Sequence, residues 1–556
     1  MKGYIIMKGY MIMKGYMKCV FAALVLMVSA SACNDFGDVN IDPEHMNQGN
    51  VPYEMVFANA QHQALGSDWD VWRNACIYSG QWVQHLTSVE NWWSYNLYAY
   101  SDGYSAAYWD GVYSGDRGAV RDVTAVMDLW KDREGYEIDY NMSRVMRVYV
   151  MHRMTDLYGD VPFSEAGRPD DYSYPRYDPQ RDIYMDMLKE LDEAQARLGD
   201  GTARMGANDL YLQGDAAGWK RFANSLMLRL AMRLSKVDPA TAAVWVKKAV
   251  SNGLITDVSQ NVMLNHPGGV TTDDSSEPYA KIFAHEDREF FLSERFVTHL
   301  RETGDPRLAL IGCVCEDPSY SIQSPNYQLG NPDPSVQEGL PGGYNLSTES
   351  DWFIGKTIPE FNDKVYLENY ASKYSVPNRY TYSDPTAPTF IVTYAQTQLL
   401  LAEAAVRGWT QGKSAKEYYE AGVYAAMEQF KQFPNSARLC GEFLTSETVE
   451  WYLKMNPFDD SSAEASLKQI NTQYWINCFC DEYESFANWR RSGYPELTPT
   501  VDPDNRYGMT ATDGSIPRRF AYPSTESQIN TSHYEEAVRR MDKGDTFESR
   551  VWWDVK

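Results

Sequence analysis

Histidine, paired cysteine and basic charge are what this sequence has least of, and each shortage closes off a line of chemistry. Eight histidines are spread over 556 residues in no metal-ligand spacing, and neither HExxH nor GxSxG occurs. Zinc-protease and serine-hydrolase centres therefore have no support. The eight cysteines (Cys19, Cys33, Cys76, Cys313, Cys315, Cys440, Cys478 and Cys480) include no CxxC pair, which removes zinc ribbons and thioredoxin-type sites. Cys478 and Cys480 fall two apart on a predicted helix and so point to roughly opposite faces. Lysine and arginine number 51 against 76 acids, a net charge of −25. With no basic stripe to displace phosphate counterions, nucleic acid is not an expected partner. The segment GWTQGKS (408–414) has three residues between its glycines, one short of a phosphate loop, and joins two predicted helices. Asp502-Pro503-Asp504 lacks EF-hand spacing. Among many carboxylates no pair stands out as an acid–base couple; Glu289 and Glu294 are five apart and nothing else recommends them. The expectation is of no catalytic residues, no metal site and no cofactor.

A membrane-spanning run is missing too. Residues 19–28 are apolar, but ten residues are too few where about 20 are needed. Lys2, Lys8, Lys14 and Lys18 precede this run, and Ala30-Ser31-Ala32-Cys33 follows it. Positive region, short apolar region and small residues make residues 1–32 a signal peptide of the lipoprotein type, with Ala30 where a leucine is usual. Cys33 is the expected lipidation site, and two or more acyl chains there give stable membrane anchoring. Removing residues 1–32 takes away four lysines and no acid, so −25 becomes −29. The sixfold period MKGYII-MKGYMI-MKGYMK leaves Met1, Met7, Met13 or Met17 as the start. Residues 33–50 read as a polar tether.

What is present is helical periodicity. In residues 214–235, Trp219, Phe222, Ala223, Leu226, Leu230 and Leu234 recur on one face, with Arg229 and Arg233 four apart. Asp238-Pro239 ends this helix at Val237 and caps the next, which stops before Gly253. A tight antiparallel helix pair is one repeat unit, and it needs neighbours to bury its face. Further helices are expected over 53–65, 141–158 and after Tyr177-Asp178-Pro179-Gln180. In the second half they fall at 393–407, 414–430 and, as one long helix, 465–489. Small residues Ala404, Ala405, Ala421 and Gly422 allow close approach of the 393–407 and 414–430 helices. The stretch from residue 516 to the end reads as largely irregular.

Aromatic residues are abundant and uneven. Residues 69–113 hold six Trp and seven Tyr, about twice the chain's 14% aromatic content. Residues 255–389 are dense in Pro, Gly, Asn, Asp and Ser and read as long loops with short hairpins, which in compact domains are commonly functional. Exposed rings in such loops suit stacking on the apolar C–H faces of sugars; core packing is the competing reading for each ring. The candidates for ligand binding are Trp72, Trp92, Trp93, Tyr95, Tyr327, Tyr344 and Trp352.

An ordered set of stretches then resembles one family. It comprises CNDF (33–36) with NIDP (40–43), TDLYGDVPFSEA (155–166), YDPQ (177–180), GD (214–215) with WKRFANSL (219–226), and TYAQ (393–396) with LLAEAA (400–405). QYW (473–475), WRRSGYP (489–495), IPRR (516–519) with YP (522–523), and VWWD (551–554) complete it. Over nearly the whole mature chain these resemble the SusD/RagB-type nutrient-binding outer-membrane lipoproteins of Bacteroidetes. The resemblance implies a mainly α fold in which tetratricopeptide-like helix pairs form an α-solenoid scaffold against a loop-rich half with a few short β-hairpins. It implies one domain over 51–556, with the scaffold mainly at 141–254 and 390–490 and the loop-rich, ligand-binding half mainly at 66–125 and 255–389. It further implies a lipid-anchored outer-membrane protein facing the exterior, not an enzyme, that passes an oligosaccharide or peptide to a SusC-like TonB-dependent β-barrel transporter. The rival expectations are a secreted helical glycoside hydrolase and a tethered helical-repeat scaffold without ligand.

Overall fold

Side chains close the first turn of several long helices, the Asp238 cap read from the sequence among them. The computed structural model describes residues 52–88, 98–113, 118–269, 275–285, 290–315, 329–343, 373–500 and 511–556. Its longer helices in the first half are α1 (Tyr53–Gln63), α2 (Ala119–Trp130), α3 (Glu137–Tyr158), α4 (Gln180–Leu198), α5 (Ala216–Arg233) and α6 (Pro239–Asn252). Asp215 starts α5 by accepting from the N–H groups of Ala217 and Gly218, and Asp238 starts α6 by accepting from Thr241, with Pro239 in the first turn. In the second half come α7 (Tyr394–Val406), α8 (Ala415–Glu428), α9 (Ala463–Asn477), α10 (Glu482–Ser492) and α11 (Thr531–Arg539). Thr393 with Gln396, and Ser414 with Glu417, form capping boxes at the starts of α7 and α8.

Consecutive helices α2 to α6 pack each on the next, and α5 also meets α3 and α7; α7 in turn packs on α8 and α9. This is the helix-pair scaffold. Helix α3 is buried nearly all round, as a central element must be. Gly422 lets α8 close on α7: a Cβ there would stand 2.8 Å from Leu399 Cγ.

The core also holds charge. Arg229 and Arg233 are fully buried. Arg233 donates from Nη2 to Glu484 at 2.5 Å and pairs with Asp156 at 3.3 Å; Arg229 donates to Gln396 Oε1 at 2.6 Å and to the Ile391 carbonyl at 3.0 Å. Arg491 grips both oxygens of Glu403 at 2.6 and 2.8 Å. Arg490 lies between the Phe486 and Trp553 rings, 3.9 and 4.8 Å from their centroids. The WRRSGYP and LLAEAA stretches are therefore fastenings between α3, α5, α7 and α10. Losing one partner of such a buried pair costs about 3–5 kcal/mol, because the other charge is left unpaired.

Among the described residues, eight short strands form four antiparallel pairs. Leu86–Thr87 pairs with Phe291–Leu292, Val161–Pro162 with Tyr177–Asp178, Val262–Leu264 with Thr389–Val392, and Gly312–Cys313 with Val376–Pro377. Three of these tie segments far apart in the chain, so they pin the loop-rich stretch to itself and to the region after residue 80.

Two expectations change. The single helix over 465–489 is two, α9 and α10, broken at Cys478–Asp481 with Cys480 in a left-handed conformation at φ 63°. Cys478 and Cys480 therefore sit in a turn. The six described cysteines remain thiols. The tail is largely irregular apart from Glu526–Ile529 and α11, and residues 66–125, expected to be rich in loops, are largely helical where described.

Candidate functional site

Ser67 caps a single turn, Asp68–Asp70, through reciprocal bonds with Asp70. That turn runs without a break into a nine-residue π-helix, Val71–Ser79. π-Helical turns are rare and recur at functional sites, because the widened turn re-aims side chains. Here Trp69, Trp72 and Arg73 come to the surface together. Trp69 is 54% exposed. Its ring meets Trp72 edge-on at 5.5 Å, and Trp72 meets Tyr104 at 5.8 Å. The Arg73 guanidinium lies 5.4 Å from the Trp69 ring and 5.9 Å from that of Tyr104. Among the described residues it makes no ion pair.

The backing is stiff. Asn74 donates to the Tyr104 carbonyl at 2.6 Å and accepts from the Tyr108 N–H at 2.5 Å, tying the π-helix to the segment that carries Tyr104. Beneath, Tyr78 stacks on Trp82 at 4.7 Å, and both rings abut Phe520 and Phe547. Tyr100, 45% exposed, stands over Phe547 at 5.5 Å and donates to Asp102. An exposed indole face beside a guanidinium with donors to spare can hold a sugar ring by its C–H face and its hydroxyls at once.

Of the residues expected to bind ligand, Trp72 is in this cluster, half-buried. Trp92, Trp93, Tyr95, Tyr327, Tyr344 and Trp352 lie outside the described residues, as does Cys33. Trp69 and Arg73 are additions that the structure makes to that set. The signal for them in the sequence is the run WDVWR (69–73), which spaces two indoles and a guanidinium within one helical turn or so.

Two buried clusters among the described residues have the composition of catalytic machinery, and neither has its geometry. His152, Asp156 and Glu484 place ligand atoms within 4.8 Å of one another. Two guanidinium groups already neutralise that cluster: Arg233 holds both acids, and Arg229 stands 3.7 Å from Glu484. Burial would raise the Glu484 carboxyl, but Arg233 and Arg229 bring it down to about 2. Burial, with Arg229 and Arg153 adding to it, pushes His152 well below the usual histidine range. The trio is an internal salt bridge shut off from solvent. In the second cluster, Glu277 accepts from Ala280 N–H and from Thr389 Oγ1, and Thr389 in turn bonds His266 Nε2 at 2.9 Å. There the hydroxyl lies between histidine and acid, so the nucleophile–histidine–acid order of a catalytic triad is absent.

The described chain thus offers an exposed aromatic–arginine surface on a helical scaffold: the mark of a binding protein. The match to known proteins agrees. Residues 46–523 match the SusD-like family model described as "Starch-binding associating with outer membrane", and the chain belongs to that family, whose members are binding proteins rather than enzymes. No curated protein matches it. Among solved structures, it is similar to a chitin-binding protein at 29% identity, covering 91% of this chain and 100% of the other with a TM-score of 0.74. A Bacteroidetes AC2a SusD-like protein is 27% identical with the same coverage and a TM-score of 0.76. A chitin-binding SusD homologue from Flavobacterium johnsoniae, 24% identical, shares the fold with a TM-score of 0.69 over 91% of this chain and 99% of that one. No helix among the described residues is long and apolar enough to cross a membrane.

Proposed function

We propose that this protein is a surface lipoprotein, anchored to the outer membrane through Cys33, that captures an oligosaccharide and passes it to a SusC-like TonB-dependent barrel. The observation that carries the reading is the Trp69–Trp72–Arg73–Tyr104 surface, where rings and a guanidinium without an ion-pair partner among the described residues lie together on a rigid backing. Such a surface grips an extended ligand without enclosing it, giving the modest affinity that a handover requires. Trp92, Trp93, Tyr95, Tyr327, Tyr344 and Trp352 are proposed as further ligand-binding residues. The similarity to a chitin-binding protein at 29% identity makes polymers of N-acetylglucosamine the first ligands to try.

The test is migration of the soluble form, lacking residues 1–33, through gels containing chitin derivatives, starch or other polysaccharides, with a peptide panel beside them. Retardation by at least one polysaccharide, without release of reducing ends, is expected. Reducing-end release would make the protein a hydrolase, peptide binding alone would replace the glycan reading, and no binding at all would leave a scaffold.

A further inference from the structure

A helix is broken next to Tyr104. Residues 102–113 run as two helical pieces, Asp102–Ser105 and Ala107–Tyr113. The Ala106 N–H still donates to the Asp102 carbonyl at 2.8 Å, and the Asp110 N–H to that of Ala106 at 2.9 Å. Between these rungs, side chains from elsewhere replace backbone partners. In an unbroken helix the Tyr108 N–H would donate to the Tyr104 carbonyl, and the Trp109 N–H to that of Ser105. Instead Tyr108 donates to Asn74 Oδ1 at 2.5 Å, and Asn74 Nδ2 donates to the Tyr104 carbonyl at 2.6 Å. One rung on, Trp109 donates to Tyr158 Oη at 3.3 Å, and that hydroxyl donates to the Ser105 carbonyl at 2.6 Å.

The two wedges come from different elements. Asn74 belongs to the π-helix, and Tyr158 is the last residue of α3, inside the TDLYGDVPFSEA stretch. Each offers a donor and an acceptor, so each spans its rung without orphaning a backbone group. Both are fully buried, and the Tyr158 ring is held edge-on by Trp109 at 5.2 Å and Phe520 at 5.7 Å. A side chain inserted into the ladder is one of the few causes of a sharp helix bend. The piece before the bend carries Tyr104, whose ring meets Trp72 and the Arg73 guanidinium.

We propose that Asn74 and Tyr158 are positioning residues for the Trp69–Trp72–Arg73–Tyr104 surface: by holding two rungs open they bend the helix so that the Tyr104 ring stands against Trp72 and Arg73. Neither touches the ligand. Asn74 ties the π-helix to the bent segment, and Tyr158 carries the fastening on to α3. The role rests on the reading of that surface as a glycan site.

Tyr158→Phe tests it, because it keeps the ring and removes only the wedging hydroxyl. The crystal structure of the variant, in the soluble chain lacking residues 1–33, is expected to show the Trp109 N–H bonded to the Ser105 carbonyl and the Tyr104 ring withdrawn from Trp72. The melting temperature stays close to that of the wild type, because both backbone groups are paired again. Calorimetric titration with a chitin or a starch oligosaccharide, whichever the wild type binds, should show affinity about tenfold weaker. In a Tyr104→Ala background the same substitution should change nothing, since the ring it positions is gone; a merely structural role would weaken binding in both backgrounds. Asn74→Ala, which lets Tyr108 bond to Tyr104, gives the same comparison if Tyr158→Phe does not fold. An unchanged bend, or equal losses with and without Tyr104, overturns the role. A straightened helix with undiminished affinity overturns it too and leaves the proposed function standing. A wild type that binds no glycan sinks the proposed function, and the role with it.

Discussion

Trp69 and Arg73 work as a pair because they are four residues apart on a widened helix, so the guanidinium can lie against the indole while its outer N–H groups stay available. A lysine at position 73 would keep the charge and lose both the planar group beside the ring and the fork of donors. Elsewhere in the chain the same residue types do the opposite job: Arg229, Arg233, Arg490 and Arg491 are buried and spent on internal partners. Residue type alone cannot tell the two roles apart, and this is why the sequence points to Trp72 and not to Arg73. A buried carboxyl offers a test at this scale. Burial pushes Glu277 up to about 7, against hydrogen bonds from Ala280 and Thr389 that hold it down. Its folded-state pKa exceeds the unfolded one, so the stability tied to its proton is full below pH 4.5 and is lost as pH rises through 7. Glu277→Gln removes this dependence. Denaturant unfolding at pH 5 and pH 8 should show the wild type losing up to roughly 3 kcal/mol more than the variant over that interval. Parallel losses in the two proteins would mean that Glu277 is not buried in this way.

Among the elements, the helices are the most legible in the sequence and the breaks the least. Caps at Asp215, Asp238, Thr393 and Ser414 are local chemistry, so those starts can be read to within a residue or two. The break between α9 and α10 is hidden because no Gly or Pro marks it. Cys480 takes a left-handed conformation that only the surrounding packing imposes, together with the Glu482 carboxylate that accepts from its N–H. The π-helix is hidden for a similar reason: Asn74, in its middle, is bonded to Tyr104 and Tyr108, contacts that local sequence does not reveal. Close approach, by contrast, can be read from small residues. Gly422→Ala gains about 1 kcal/mol in helix propensity but drives a methyl into Leu399, at a cost of about 1–3 kcal/mol, so net destabilisation is expected. Gly441, also helical, has open space where a methyl would project, with nothing within 4 Å, so Gly441→Ala should stabilise by about 0.5–1 kcal/mol. Thermal melts of the two variants should move in opposite directions; a shared direction would mean that α7 and α8 are not packed this closely.

For the molecule as a whole, the motifs that carry the family resemblance and the residues proposed to face a ligand are different sets. The former are buried ion pairs and aromatic contacts that hold α3, α5, α7 and α10 together, and their geometry leaves little freedom of residue type. Trp69, the most exposed described ring of the latter set, fills no core position, so the scaffold and the family are legible in the sequence while the ligand is not. The central claim is that the Trp69–Arg73 surface binds glycan. Calorimetric titration of a chitin oligosaccharide, or of whichever polysaccharide fragment the gels select, into the wild type, Trp69→Ala and Arg73→Ala tests it most directly. The account predicts binding by the wild type and a loss of about 2 kcal/mol, some thirty-fold in affinity, in each variant with unchanged melting temperature. Equal affinity in all three proteins would contradict it.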